Sequence, residues 1–218
     1  MPPEALVEGP GALNALARPV SRETRAKLAR YVELLGRWQK IKNLVGPGTL
    51  EHVWTRHMLD SAAILDIAPD ARTVVDLGSG AGFPGMVVAV MLAGTPGAAV
   101  HLVEANARKG SFLRTVARET GAPATVHIGR IEEVVPVLAR TLAPDLVTAR
   151  ALAPLDQLLR LSEPLLAKGA TGLFHKGREL GDEVAAARDH WGFDLVEHPS
   201  RTDPAGRLVD IRGLRRLG

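Results

Sequence analysis

The sequence predicts an α/β fold, a doubly wound Rossmann-like sheet that is mostly parallel, ends in an antiparallel strand and follows an N-terminal helical extension. Apolar residues recur at helical spacing up to residue 70. Beyond it, short apolar runs alternate with helical stretches, as in βαβ units. The last two runs are joined by a loop too short for a helical crossover, so they should pair antiparallel. We therefore divide the chain into residues 1–70, the helical extension, and residues 71–218, the sheet domain.

The extension is expected to hold two helices. Ser21 suits the N-cap of the first helix, and the Gly-Pro-Gly run at 46–48 should end it. The apolar positions of this first helix, at helical spacing, are Leu28, Tyr31, Val32, Leu35 and Trp38. The second helix carries an apolar stripe from residue 50 to residue 65, and Pro69 closes it.

The sheet domain is expected to contain seven strands. They are predicted over residues 73–77, 100–103, 125–128, 145–148, 171–174, 193–196 and 207–211. Helices are predicted over residues 84–92 and 107–119, with further helices between the later parallel strands. This order places a glycine-rich loop directly after the first strand.

Composition excludes several classes of protein and site. The 218 residues include no cysteine, which excludes disulfide scaffolds, iron–sulfur clusters and thiol nucleophiles. The seven histidines show no metal-binding spacing, so we expect no metal. The N-terminus lacks the features of a secretory signal, and no apolar run is long enough to cross a bilayer. We therefore expect a cytoplasmic protein, a monomer without a membrane partner.

The charge balance favours an anionic partner. The net charge is +3, and 21 of the 27 basic residues are arginine. The planar guanidinium group suits phosphate, although an arginine-rich chain can equally reflect codon composition. Charge alone therefore gives only weak support to nucleic-acid binding.

The strongest local signal is the glycine loop, residues 76–85, which reads Asp-Leu-Gly-Ser-Gly-Ala-Gly-Phe-Pro-Gly. It satisfies the dinucleotide pattern G-x-G-x-x-G, which alone is weak, and the glycines could also form only a tight turn. Asp76 favours S-adenosylmethionine, because a carboxylate suits its cationic amino group and would repel a pyrophosphate. Pro84 removes a backbone donor that a dinucleotide site would use. Glu104, at the end of the second strand, could hold the ribose of either ligand.

Together with this loop, several segments resemble the RsmG (GidB) family of 16S rRNA guanine-N7 methyltransferases. Residues 56–61, Arg-His-Met-Leu-Asp-Ser, are similar to the family's Arg-His-x-x-Asp-Ser element. Residues 43–44 resemble the start of its Asn-Leu-Thr element, with Val45 in place of threonine. The glycine loop, residues 109–113, residues 150–151 and residues 176–177 also match. The resemblance covers nearly the whole chain.

The resemblance implies a class I methyltransferase domain that uses S-adenosylmethionine. Gly78 and Phe83 would contact the cofactor, and Ile131 and Glu132 would flank its adenine. Arg150 would face the methionine end or the target. With the loop residues and the two carboxylates, the expected cofactor set is Asp76, Gly78, Ser79, Gly80, Phe83, Glu104, Ile131, Glu132 and Arg150.

The expected partner is 16S rRNA or a small-subunit ribosomal particle. Arg56 and His57 are interpreted as a substrate-side pair, although Arg56 could simply pair with Asp60 at helical spacing. Lys176 and Arg178 follow a predicted strand and suit phosphate contacts, although they could lie in a solvated loop. Guanine N7 is an exposed lone pair, so alignment can suffice and no catalytic base is assigned.

Three other functions stay open on the residues alone. The chain could be a class I methyltransferase that acts on a small molecule or a protein. It could be an RNA-binding protein without cofactor, which the intact glycine loop and Glu104 argue against. It could also be a dinucleotide oxidoreductase.

Overall fold

The structure, a computed structural model, describes residues 7–42, 44 and 49–218. Asn43, Val45 and the predicted helix breaker at 46–48 lie outside the described residues, as do residues 1–6. The first predicted helix is α1 (Arg22–Lys42). The Ser21 hydroxyl accepts a hydrogen bond from the Thr24 N–H at 3.0 Å, which confirms the predicted N-cap.

The second predicted helix is not one regular α-helix. It consists of a 3-10 turn (Thr49–His52), a π-helix (Val53–Leu59) and two short α segments, α2 (Asp60–Ala62) and α3 (Ile64–Ile67). Every residue from 58 to 65 is buried. The stripe residues Val53, Trp54, Met58, Ala62 and Leu65 are buried as predicted, but the last part of the segment is buried on every side, which an amphipathic pattern does not indicate.

All seven predicted strands are present. They are β1 (Thr73–Leu77), β2 (Ala99–Glu104), β3 (Ala124–Ile128), β4 (Leu146–Arg150), β5 (Thr171–Lys176), β6 (Trp191–Pro199) and β7 (Arg207–Arg216). The sheet order is β3-β2-β1-β4-β5-β7-β6. Strands β1 to β5 are parallel, and β7 runs antiparallel to β5 and β6, as the short loop between the last strands predicted. The order reverses between β1 and β4, which opens a crevice at their carboxyl ends.

Helices cover both faces of the sheet. They are α4 (Gly85–Met91), α5 (Ala107–Thr120), α6 (Ile131–Thr141), α7 (Leu155–Leu166) and α8 (Leu180–Arg188). One apolar cluster joins α1, α4 and α5 to one face, and a second joins α6, α7 and α8 to the other. The predicted doubly wound α/β class is therefore confirmed.

The helical extension packs on the sheet domain instead of standing apart from it. Leu28, Tyr31 and Leu35 of α1 are fully buried in the same apolar cluster as Met86 of α4 and Phe112 of α5. The division at residue 70 stays a prediction about folding units. In the part of the chain that the structure describes, no helix is both long and apolar enough to cross a membrane.

Candidate active site

The glycine loop leaves β1 at the crevice and turns back into α4. Gly78 has a φ of 67°, and a Cβ there would lie 2.7 Å from Leu152 Cδ1, so a side chain would be strained and crowded. The Ser79 N–H donates to the Val103 carbonyl at 3.0 Å, and the Ser79 hydroxyl donates to the Asp76 carbonyl at 3.2 Å. The Tyr31 hydroxyl, from α1, donates to the Ala81 carbonyl. Neighbouring elements therefore fix the loop from both sides.

Glu104 ends β2 directly beneath this loop. Its Oε2 accepts the Gly80 N–H and its Oε1 accepts the Asn106 N–H, each at 2.7 Å. The side chain is mostly buried but lines a cavity. Since a carboxylate oxygen can accept more than one hydrogen bond, Glu104 keeps acceptor capacity toward that cavity.

Asp76 lies fully buried under the loop and not at its entrance. The Thr148 hydroxyl donates to its Oδ1 at 2.7 Å, while Oδ2 has no hydrogen-bond partner among the residues that the structure describes. Burial raises the pKa of Asp76 to about 6, against the lowering effect of its hydrogen bonds. Gly85 lies against it, since a Cβ at Gly85 would lie 2.4 Å from Asp76 Cβ. The contact predicted between Asp76 and the amino group of a cofactor stays a prediction.

A cavity of about 370 Å³ opens beside Glu104. It brings together five of the predicted cofactor residues, which are Gly78, Gly80, Glu104, Ile131 and Glu132. Sequence reasoning missed its other lining residues, which are Ala105, Lys109, Arg130, Leu152, Ala153, Gln157 and Leu161. Lys109 begins a segment that matches the family, but the others follow strand ends or lie on helices with no sequence signal of their own, so only the assembled sheet identifies them.

Phe83 does not line this cavity and instead forms an aromatic stack with the extension. Its ring lies 5.7 Å from the Tyr31 ring and 4.8 Å from the His57 ring, with interplanar angles of 21° and 29°. Burial, with the nearby charges of Arg150 and Arg56, lowers the pKa of His57 to about 4. His57 is therefore neutral at pH 7, and the π-helix places it next to the glycine loop.

Arg150 is the last residue of β4 and does not line the 370 Å³ cavity. It lines two further cavities, of about 210 and 390 Å³, at the carboxyl ends of β4 and β5. The smaller one is also lined by Arg56, Asp60, His175 and Arg207. Leu152 and Ala153 line both the larger of these cavities and the cavity beside Glu104, and the role predicted for Arg150, at the methionine end or at the target, stays a prediction.

Arg56 and Arg178 are both exposed and form no ion pair with any described residue. Arg56 therefore does not pair with Asp60, which faces Arg150 and His175 instead. Both side chains are free to approach an anion.

The structure argues against the predicted phosphate contact of Lys176. Its side chain is 8% exposed, and its ammonium group pairs with Glu183 and donates to the Ala153 carbonyl at 2.9 Å. A buried, paired ammonium offers little charge to RNA. The strand was predicted to end at residue 174, which suggested that Lys176 is exposed, whereas β5 extends to Lys176 and α8 brings Glu183 over its side chain.

No group of His, Asp and Glu side chains suited to a metal ion occurs within residues 7–42, 44 and 49–218. The cavities therefore present hydrogen-bonding groups, arginines and apolar walls.

Comparison with known proteins gives one family. The family described as rRNA small subunit methyltransferase G (GidB) matches residues 24–204. A protein of Methylobacterium sp. (strain 4-46) named ribosomal RNA small subunit methyltransferase G is 55% identical over 89% of this chain and 91% of its own. A protein of the same name from Methylorubrum extorquens is 53% identical over 91% of this chain and 92% of its own.

Solved structures share the fold at low identity. The O-methyltransferase TomG from Streptomyces achromogenes, in complex with SAM, has a TM-score of 0.59 at 14% identity and covers 91% of this chain and 93% of its own. An O-methyltransferase from Bacillus cereus, in complex with SAH, has a TM-score of 0.59 at 11% identity, covering 92% and 94%. At this identity the likeness concerns the fold alone.

Proposed function

Because the chain belongs to the rRNA small subunit methyltransferase G (GidB) family, we propose that it transfers the methyl group of S-adenosylmethionine to N7 of a guanine in 16S rRNA. The observation that carries the proposal is the family match over residues 24–204, together with 55% identity to a relative of that name over most of both chains. The cavity beside Glu104 supplies the corresponding cofactor site.

The residues of that cavity fit S-adenosylmethionine. Glu104 keeps acceptor capacity for two ribose hydroxyls, and Ile131 gives an apolar wall for an adenine ring. Gly78 lines the cavity with its backbone in a left-handed conformation that glycine adopts readily. The unpartnered Oδ2 of Asp76 provides negative charge beneath the loop. When bound, the cofactor supplies an electrophilic methyl group on a sulfonium.

The chain's own contribution to the reaction is alignment. Guanine N7 already has an exposed lone pair, so no side chain has to remove a proton from it. His57 is neutral at pH 7 and stacks on Phe83, which holds a flat surface beside the glycine loop. Restricting the approach of the two reactants in a water-poor crevice can lower the barrier by several kcal/mol, or about 7–11 kcal/mol in the best-aligned cases.

The RNA is proposed to lie over the carboxyl ends of β4 and β5. Arg56 and Arg178 are exposed there without ion pairs to described residues, and Arg150 lines the cavities between them and the sheet. Arginine forks suit phosphate oxygens, which position a nucleic acid without reading its sequence. We propose that the protein acts as a monomer, in the cytoplasm, on 16S rRNA or a small-subunit particle.

The test is methyl transfer with defined RNA substrates. Purified protein, methyl-labelled S-adenosylmethionine and either free 16S rRNA or small-subunit particles from a strain lacking the enzyme are incubated together. Label is expected in the RNA, at a guanine that becomes sensitive to the chain cleavage diagnostic of N7 methylation. Label on another atom of the RNA would contradict the N7 assignment, and absence of label from both RNAs would contradict the proposed substrate.

A further inference from the structure

Asp60 is a buried carboxylate that connects three distant parts of the chain. It lies at the start of α2, where the π-helix ends, and its side chain is 8% exposed. The Ser200 hydroxyl donates to Oδ1 at 2.7 Å, His175 Nε2 lies 3.3 Å from Oδ2, and Arg150 Nη1 lies 3.7 Å from Oδ2. These partners come from the β6–β7 loop, the end of β5 and the end of β4.

The partners outweigh the cost of burying this charge. Burial alone would raise the pKa of Asp60, but the hydrogen bonds from His175 and Ser200 and the charge of Arg150 lower it to about 2. Asp60 is therefore ionised at neutral pH. A buried charge that is fully ionised orients the groups around it, since each of them gains from facing it.

Arg150 is the partner at the candidate RNA site. Its Nη2 donates to the Arg56 carbonyl at 3.1 Å, while its Nη1 is buried, faces Asp60 and has no hydrogen-bond partner among the described residues. The next residue, Ala151, has a φ of 49°, a left-handed conformation unusual for alanine. The Arg56 carbonyl, in the helical extension, thus holds the Arg150 guanidinium. The conformation of Ala151 restricts the backbone directly after β4.

Ser200 extends the same network into the β6–β7 loop. Its hydroxyl oxygen also accepts the N–H groups of Thr202 and Asp203, each at 3.2 Å. The loop therefore folds around an oxygen that is itself tied to Asp60. Ser200, His175 and Arg150 all line the cavity of about 210 Å³, so three of its lining residues contact the Asp60 carboxylate directly.

We infer that Asp60 is a positioning residue for methyl transfer: it holds Arg150 and the β6–β7 loop in the arrangement that receives the RNA. This inference rests on the proposed function, because it takes Arg150 to face the RNA. Asp60 itself touches neither the cavity beside Glu104 nor the glycine loop. Its loss should therefore affect the RNA side and leave cofactor binding unchanged.

The test compares Asp60→Asn with Asp210→Asn. Asp210, on β7, is a matched control: its side chain is 6% exposed and pairs with Arg212 at 2.8 Å, but it lines none of these three cavities. Single-turnover methyl transfer at saturating RNA should fall about 10- to 100-fold in Asp60→Asn, as for other losses of alignment. The Kd for S-adenosylmethionine should not change. Asp210→Asn should lower thermal stability only.

A double-mutant cycle asks whether Asp60 acts through Arg150. If it does, Asp60→Asn combined with Arg150→Ala should be no slower than Arg150→Ala alone. Independent, multiplying losses would overturn the inference, as would an Asp60→Asn enzyme that transfers methyl groups as fast as Asp210→Asn.

Ser200→Ala covers the case in which Asp60→Asn does not fold. It removes the hydrogen bond to Asp60 and the two that the hydroxyl accepts within its own loop, and it keeps the buried charge, so the rate should fall at least about fivefold. An unchanged rate in folded Ser200→Ala protein would contradict the positioning role. The wild-type enzyme distinguishes failure of the proposed function from failure of this inference. If the wild type methylates neither RNA substrate, the proposed function fails. If the wild type is active and the Asp60→Asn variant is equally active, only this inference fails.

Discussion

Asp76 and Glu104 are carboxylates on neighbouring parallel strands, but the fold gives them different environments. Glu104 reaches the cavity wall and accepts two backbone N–H groups. Asp76 is enclosed beneath the glycine loop, with one oxygen unpartnered among the described residues. In the proposed function, the first residue therefore binds the ribose, and the second shapes the loop and the charge beneath it.

Glu104→Gln should weaken S-adenosylmethionine and S-adenosylhomocysteine equally, because both contain the ribose. The glutamine keeps the shape of the side chain but loses the charge-assisted hydrogen bonds, at a cost of about 1.5–3 kcal/mol for each bond lost. Calorimetric titration with both ligands measures the change. Weaker binding of S-adenosylmethionine alone would indicate that Glu104 acts on the sulfonium instead.

Asp76 should make stability depend on pH between about 4 and 6. Its pKa is about 6 in the folded protein against an ordinary value of 3.8, so the folded state binds the proton more tightly. The stabilisation from this group is complete below pH 3.8 and is lost as the pH rises through 6. Asp76→Asn should thus gain stability relative to the wild type over this range, by up to about 3 kcal/mol at pH 7. Urea unfolding at pH 4.5 and pH 7 measures the difference, and a pH-independent difference would contradict the burial of an ionisable Asp76.

At the scale of elements, the extension acts on the glycine loop through single side chains. Tyr31 of α1 donates to the Ala81 carbonyl and stacks on Phe83, while His57 of the π-helix stacks on Phe83 from its own side. A Cβ at Gly82 would overlap the Tyr31 hydroxyl. The extension therefore forms part of the cofactor loop's support, and the π-helix, a type of helix frequent at functional sites, sets where His57 lies.

Tyr31→Phe should weaken cofactor binding through this support. It keeps the ring stack and removes one buried hydrogen bond, at about 1 kcal/mol of stability. Ser21→Ala is the control, because loss of the N-cap costs α1 about 1 kcal/mol without touching the loop. Calorimetry should show weaker S-adenosylmethionine binding for Tyr31→Phe only. Equal affinities for both variants would mean that the loop holds its shape without α1.

Across the whole molecule, the two sides of the crevice hold different groups. The β1–β2 side holds the cavity beside Glu104, and the β4–β5 side holds Arg150 and the cavities shared with Arg56. The loop from β4 to α7, with Leu152 over Gly78, separates them. Cofactor and RNA affinity should consequently respond to different substitutions.

Replacing the exposed arginines should change the salt dependence of RNA binding. Arg56→Ala and Arg178→Ala should each make the log–log slope of affinity against salt shallower by about one unit, because one phosphate contact is lost. Lys176→Ala should instead lower thermal stability, since its ammonium group is buried against Glu183. Arg118→Ala is the control, at the far end of α5 and 70% exposed. Unchanged slopes for both Arg56→Ala and Arg178→Ala would remove the proposed RNA surface.

The fold class, the strand order along the chain and the glycine loop could be predicted from the residues alone, because these features depend on local periodicity and on glycine and proline positions. The sequence also placed Gly78, Gly80, Glu104, Ile131 and Glu132 in one candidate site, which the structure brings together in one cavity. Residues at the carboxyl ends of parallel strands meet at one edge, so their convergence follows from topology.

The burial of Asp76, the pairing of Lys176 and the geometry of the second helical segment depend on packing between distant elements, so no local pattern predicted them. The same holds for the partners of Asp60, since Ser200 lies 140 residues away and His175 lies 115 residues away. Such contacts depend on which strand ends are adjacent and which helix covers them. A charged residue after a strand can therefore face solvent, a ligand or another charge with the same local sequence, and the packing of distant elements selects among the three.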